Sequence, residues 1–240
     1  MHEETVTLDT ADGPMGAFRV TPDGDQRRPA LLVLQEAFGV NAHIRNVCRR
    51  IAEYGYVTLA PELFHRTGAG VELGYTDFSL VMPHFSKLTN AGLLMDITAG
   101  LAALGADPRV DPARVGVIGF CVGGFATYLA AEHTRAKAFV AFYGGGILRT
   151  RPNVALTPLI DDTSRIKSPL LMLFGGQDQS IHGEDVQIIN NVLTSLRKDH
   201  TIVTLPGGGH GFACDDRAAY HQPSADQAWA VTYEWLATRL

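Results

Sequence analysis

Short apolar runs recur along this chain at intervals filled by longer segments of mixed polarity, and no other feature of the sequence constrains its fold as tightly. Ala30 to Leu34, Tyr56 to Ala60, Val115 to Phe120, Ala138 to Phe142, Leu170 to Phe174 and Thr201 to Leu205 are apolar rather than alternating, as strands covered on both faces should be. Between them the periodicity predicts helices at Ala42 to Tyr54, Asn90 to Leu104, Gly123 to Arg135, Glu184 to Leu196 and Ala225 to Arg239. Helices joining such strands make right-handed parallel crossovers. The expected class is therefore α/β, with a central, mostly parallel sheet and helices on both faces. Glu4 to Leu8 and Met15 to Val20 alternate in polarity around Ala-Asp-Gly and predict an antiparallel N-terminal hairpin. In sheets of this kind ligands bind at the carboxyl ends of the strands, so chemistry is sought in the residues that follow each strand.

Composition narrows the function classes. With 240 residues, 46% hydrophobic and 19% charged, the chain reads as one globular domain spanning 1–240. A net charge of −5 without long runs of like charge gives no footprint for nucleic acid or an anionic membrane. No apolar run approaches the roughly 18–20 residues that span a bilayer, and the opening MHEETVTLDT lacks the apolar centre of a secretory signal. Three widely spaced cysteines, Cys48, Cys121 and Cys214, form neither a disulfide framework, a CxxC pair nor a zinc cluster. A reducing, cytoplasmic location and no metal are expected. Two stretches, Glu62 to Met82 and Gly144 to Ser168, lack periodicity, and each follows a strand, so each is placed either at the cleft or on the surface.

The sharpest local signal is Gly119-Phe120-Cys121-Val122-Gly123-Gly124, a strand, a tight turn and a helix start with a nucleophile at the turn. Small neighbours let the chain pass close to itself there, and the helix start aims N–H groups at a developing oxyanion. Elsewhere a cysteine is commonly a small buried hydrophobe. A thiol nucleophile needs a base. Among nine histidines, His210 lies in Gly-Gly-Gly-His-Gly-Phe directly after the last strand. His65, His84, His133, His182 and His200 lie in less suitable places. Asp178, in Gly175-Gly176-Gln177-Asp178 after Leu170 to Phe174, is the candidate orienting acid. Alone it would read as a turn residue or helix cap, but Cys121, Asp178, His210 is the nucleophile, acid, histidine order of α/β-hydrolases.

Together with Gln35-Glu36-Ala37-Phe38-Gly39 after an early strand, these motifs resemble the dienelactone hydrolase family of α/β-hydrolases over nearly the whole chain. The resemblance implies a cofactor-independent hydrolase of small esters or lactones, working through a Cys121–His210–Asp178 triad and an acyl-thioester. It further implies that Glu36 contacts the thiol, holding it un-ionised until substrate binds, and that the N–H groups of Ala37 and Val122 form the oxyanion hole. Phe38, Tyr143 and Phe212 are the expected substrate contacts. The partner is a small ester or lactone, and the chain is expected to be a monomer or small homo-oligomer. Two arginines that dienelactone-specific members use for a substrate carboxylate have no counterpart. Cys214 stands four residues past His210, and the stretch 67–86 contains no arginine. Arg66, Arg149, Arg151 and Arg217 are the possible substitutes, and neutral esters are expected to serve at least as well as dienelactone. Two rivals belong to other classes. A nucleotide-binding oxidoreductase lacks its GxGxxG or P-loop motif, whereas a non-catalytic ligand-binding member of the fold is distinguished by turnover of a chromogenic ester that alkylation abolishes.

Overall fold

The hairpin forms one edge of the sheet. The computed structural model describes residues 1–150 and 153–240. Among them, eight strands build one sheet: β1 (His2–Thr10), β2 (Gly13–Thr21), β3 (Arg28–Leu34), β4 (Val57–Pro61), β5 (Val110–Phe120), β6 (Phe139–Phe142), β7 (Leu170–Gly175) and β8 (His200–Leu205). Their spatial order is β1-β2-β4-β3-β5-β6-β7-β8. β2 runs antiparallel to β1 and β4, and every later pairing is parallel. Central strands β3 and β5–β7 carry the core, with Leu31–Leu34, Val117, Ile118, Phe120, Phe139–Phe142 and Leu170–Leu173 wholly buried.

Among the described residues five α-helices lie between strands, α1 (Ala42–Glu53), α2 (Met82–Phe85), α3 (Asn90–Ala106), α4 (Val122–His133) and α5 (Gly183–Ser195), and α6 (Gln222–Ala237) follows the last strand. α1 starts where the Asn41 side chain accepts from the Ile44 N–H, and it buries Ile44, Val47, Cys48 and Ile51 along one stripe. At α3 the Thr89 hydroxyl plays the same capping part toward Gly92. From β3 the chain steps through α1 to β4 on one side, then returns through α3 to β5 on the other. Right-handed crossovers in opposite directions place α1 and α3 on opposite faces. α6 joins α1, where the Tyr54 and Tyr233 rings stack at 3.6 Å. The β3–β5 junction is thus the switch point at which strand ends diverge and leave a crevice. No single helix among the described residues is long and apolar enough to cross a membrane.

The predicted elements match those observed to within a few residues. The stretches without periodicity hold short 3-10 helices at Phe78–Leu80 and Ile160–Arg165, and the four-residue α2 begins just after the first of them ends.

Candidate active site

β5 ends at Phe120 and α4 begins at Val122, so Cys121 must turn the chain between them within one residue. It does so at φ 55° and ψ −114°, a conformation that costs a non-glycine residue about 1–3 kcal/mol. The turn closes because its neighbours lack side chains: a Cβ on Gly119 would stand 2.1 Å from the Gly123 carbonyl oxygen, and one on Gly123 2.2 Å from that of Leu34. The Cys121 N–H donates to the Phe142 carbonyl at 3.0 Å, tying the turn to β6. N–H groups in the first turn of α4, Val122 among them, have no intrahelical acceptor and are open to a ligand.

The loop after β8 carries His210 over the sheet to the same point. Its Nε2 lies 3.2 Å from Cys121 Sγ and its Nδ1 2.8 Å from Asp178 Oδ2. Asp178 is itself held: its Oδ1 accepts from the Ser180 N–H, the Ser180 hydroxyl and the Ile181 N–H. Burial alone would raise the Asp178 pKa, but the hydrogen bonds from His210 and Ser180 bring it below the ordinary carboxylate value. At His210 burial pulls downward. Negative charge on Cys121 and the Asp178 carboxylate outweigh it and lift the imidazole to about 10. The imidazole is thus set between a thiol that can give it a proton and a carboxylate that stabilises its charge.

Glu36 follows β3 and is 1% exposed. Neighbouring Gln35 fixes this loop, accepting from the Leu63 N–H and donating to the Glu36 carbonyl. One carboxylate oxygen of Glu36 accepts from Arg217 Nη1 at 3.3 Å, and the other has no partner among the described residues. Arg217 lies over the rings of Phe38 and Tyr75, 5.3 and 5.9 Å from their centroids. Burial would lower its pKa, but the surrounding acidic groups, Glu36 foremost, together raise it.

These groups meet at a cleft of about 280 Å³ lined by Ala37, Phe38, Phe78, Met82, Phe85, Cys121, Val154, Ser180, His210 and Arg217. Both irregular stretches therefore border it, the first through Phe78 and Met82, the second through Val154. Of the expected substrate contacts, Phe38 is in place, but Tyr143 and Phe212 are not. Both are wholly buried. Tyr143, at φ 38°, turns its ring beneath His210 at 5.4 Å, and Phe212 packs on Tyr143 at 5.3 Å, so the two support the histidine loop from below. Of the other histidines considered, His65 is engaged by Asp96 and His200 by Asn190.

A model of the dienelactone hydrolase family matches residues 15–240. The chain belongs to the dienelactone hydrolase family. It is 37% identical over 237 residues to a Synechocystis protein named as a carboxymethylenebutenolidase, covering 98% of this chain and 96% of that one. A Bradyrhizobium protein named as a 2-oxo-3-(5-oxofuran-2-ylidene)propanoate lactonase is 28% identical, the match covering 100% and 98% of the two chains. In structure the chain is similar to a Klebsiella pneumoniae protein described as a dienelactone hydrolase, at TM-score 0.90, 32% identity and 98% coverage of each. The protein is accordingly a hydrolase of the ester and lactone class on an α/β-hydrolase fold.

Within this family's pattern, the arginine question now has a structural answer for three of the four candidates. Arg66 is held by Asp12 and Asp96, and Arg149 by Asp185. Arg217 reaches the cleft, seven residues past His210. Arg151 lies outside the described residues. Ser180, which also lines the cleft, is a residue that motif reading passed over. Its hydroxyl lies 2.8 Å from Asp178 and 3.2 Å from His210 Nδ1, and its signal was only its place two residues after the acid.

Proposed function

We propose that this hydrolase cleaves small esters or lactones by nucleophilic catalysis at Cys121, with His210 and Asp178 completing a triad. The observation that carries this reading is the unbroken chain of contacts from Cys121 Sγ through His210 to Asp178, at 3.2 and 2.8 Å, at the wall of an otherwise mostly apolar cleft. On substrate binding Cys121 gives its proton to His210 and its sulfur adds to the substrate carbonyl, and the N–H groups of Val122 and Ala37 receive the oxyanion. The imidazolium of His210 gives its proton to the leaving alkoxide as the C–O bond breaks, which leaves an acyl-thioester and a neutral imidazole. In a lactone the leaving alkoxide stays tethered to the acyl group. His210 then takes a proton from water, whose oxygen attacks the thioester and releases the acid and the thiolate. Asp178 keeps the proton of His210 on Nδ1 and stabilises its charge.

The lining sets the substrate class. Phe38, Phe78, Met82, Phe85 and Val154 suit an apolar acyl or ring portion, and the volume limits it to a small molecule. Arg217 adds a cationic contact. Because Glu36 already takes one of its nitrogens, the contact favours a carboxylate-bearing substrate without excluding neutral ones. In its resting place Glu36 balances Arg217, and its negative charge opposes ionisation of the Cys121 thiol until substrate displaces the pair. The test is a comparison of three variants on a chromogenic ester: Cys121→Ala should lose several orders of magnitude in kcat/KM while remaining folded, and Cys48→Ala and Cys214→Ala should stay active. Wild-type turnover by Cys121→Ala would refute the assignment.

A further inference from the structure

Behind Arg217, one step removed from the cleft, Glu36, His43 and Cys214 each place one potential metal-binding atom within 4.8 Å of the other two. All three side chains are buried, and the catalytic reading gives no role to His43 or Cys214. In these same residues one oxygen of Glu36 and Nε2 of His43 lack any hydrogen-bond partner among the described residues. Such atoms cost about 1–3 kcal/mol each when nothing satisfies them, so the pocket is built to hold something polar. His43 is moreover already oriented. Its Nδ1 lies 3.1 Å from the Asp215 carboxylate, which accepts the Nδ1 proton and leaves the lone pair on the unpartnered Nε2. A carboxylate on the far nitrogen is the outer arrangement that fixes a metal-binding imidazole.

We propose that Glu36, His43 and Cys214 form a binding site for a thiophilic divalent cation of the Zn2+ class, with Asp215 as the outer partner of His43. One sulfur, one imidazole nitrogen and one carboxylate oxygen are a donor set for zinc rather than for calcium or magnesium, which prefer oxygen alone. Three protein ligands leave a fourth tetrahedral position for water. Donors around zinc stand about 3.3–3.7 Å apart, as bond lengths near 2.0–2.3 Å require, so the three side chains close by roughly 1 Å on binding. As the Zn–S bond forms, the Cys214 thiol loses its proton to solvent and gives up its contact with the Tyr75 hydroxyl, now 3.4 Å long. Occupancy engages the Glu36 oxygen that otherwise stands free beside Arg217, and so the cation inhibits hydrolysis from behind the cleft.

Binding is measured first in Cys121→Ala, which removes the sulfur of the neighbouring Cys121–His210 pair and makes the result independent of whether Cys121 is the nucleophile. After equilibration with Zn2+ and washing, one zinc per chain is expected by elemental analysis. Co2+ in its place should give the near-ultraviolet thiolate-to-cobalt band of a tetrahedral site. Adding Cys214→Ser should abolish that band, and Asp215→Asn should weaken Zn2+ binding about ten- to hundredfold. In the enzyme with Cys121 intact, Zn2+ should inhibit reversibly, and His43→Gln should keep its basal activity yet need at least tenfold more Zn2+. Circular dichroism confirms that each variant is folded, and His43→Gln serves if Cys214→Ser is not. Three results would overturn the proposal: no cation retained by folded Cys121→Ala, a cobalt band that survives Cys214→Ser, or Zn2+ inhibition unchanged by His43→Gln, which would place the metal on Cys121 and His210.

Discussion

Glu132 sits in the last turn of α4, the helix that begins at Cys121, with its carboxylate fully enclosed and neither oxygen hydrogen-bonded among the described residues. Burial, helped by the negative charge of Asp162 and opposed by Arg165, lifts its pKa from the ordinary 4.5 to about 8. His133 Nε2 lies 4.0 Å away, but its own burial lowers its pKa and denies Glu132 a cationic partner. The sign follows from proton linkage. Between pH 4.5 and 8 the unfolded chain has lost this proton and the folded chain has kept it, so stability falls as pH rises through that window and levels off above it. At 1.36 kcal/mol per pH unit the interval from 4.5 to about 8 corresponds to a ceiling of roughly 5 kcal/mol. Glutamine has the shape of the protonated acid and no titration. Glu132→Gln should therefore be close to neutral at pH 5 and stabilising at pH 9, with a difference of up to about 4 kcal/mol between the two. Urea denaturation of both proteins at pH 5, 7 and 9 measures it, and titrations elsewhere in the chain cancel in the comparison. A mutational effect that changes by less than about 1 kcal/mol across this range would show that water or a neighbour satisfies the carboxylate, and the reasoning would fail.

Other expectations follow from the cleft. Arg217→Met should lower kcat/KM for a carboxylate-bearing lactone about tenfold more than for a neutral ester of similar size, roughly 1.4 kcal/mol; equal losses would mean that Arg217 acts only on Glu36. Glu36→Gln removes the negative charge that balances Arg217, so iodoacetamide should alkylate Cys121 faster near neutral pH while turnover falls. Slower or unchanged alkylation in a folded variant would rule out a gating role. Gly123→Ala drives a Cβ to 2.2 Å from the Leu34 carbonyl and should cost about 3 kcal/mol of stability together with most activity, which thermal unfolding and an ester assay would check.

The parallel core was legible because its strands are covered on both faces, so Val115–Phe120 and Leu170–Phe174 read as unbroken apolar runs, and α1 showed a buried stripe from Ile44 to Ile51. One-turn helices are too short to show a period, which hid α2 and left the 62–82 stretch formless although Phe78 and Met82 wall the cleft. The residues brought together at the cleft, Cys121, Asp178 and His210, were legible as motifs because each has glycine around it. Arg217 was not distinguishable from three other arginines, since its approach to Glu36 depends on how the chain folds back between Cys214 and Tyr220. Tyr143 and Phe212 misled for a related reason: adjacency to a strand end or to His210 does not say which way a ring points, and the φ of 38° at Tyr143 turns it under the site.

The central claim is that the acyl group passes through Cys121. Rapid acid quenching of the enzyme with a slowly released ester, followed by peptide mass spectrometry, tests it directly. The account predicts a transient acyl mass on the peptide containing Cys121, none on those containing Cys48 or Cys214, and no adduct in Cys121→Ala. Turnover with no acylated cysteine, and undiminished in Cys121→Ala, would contradict it.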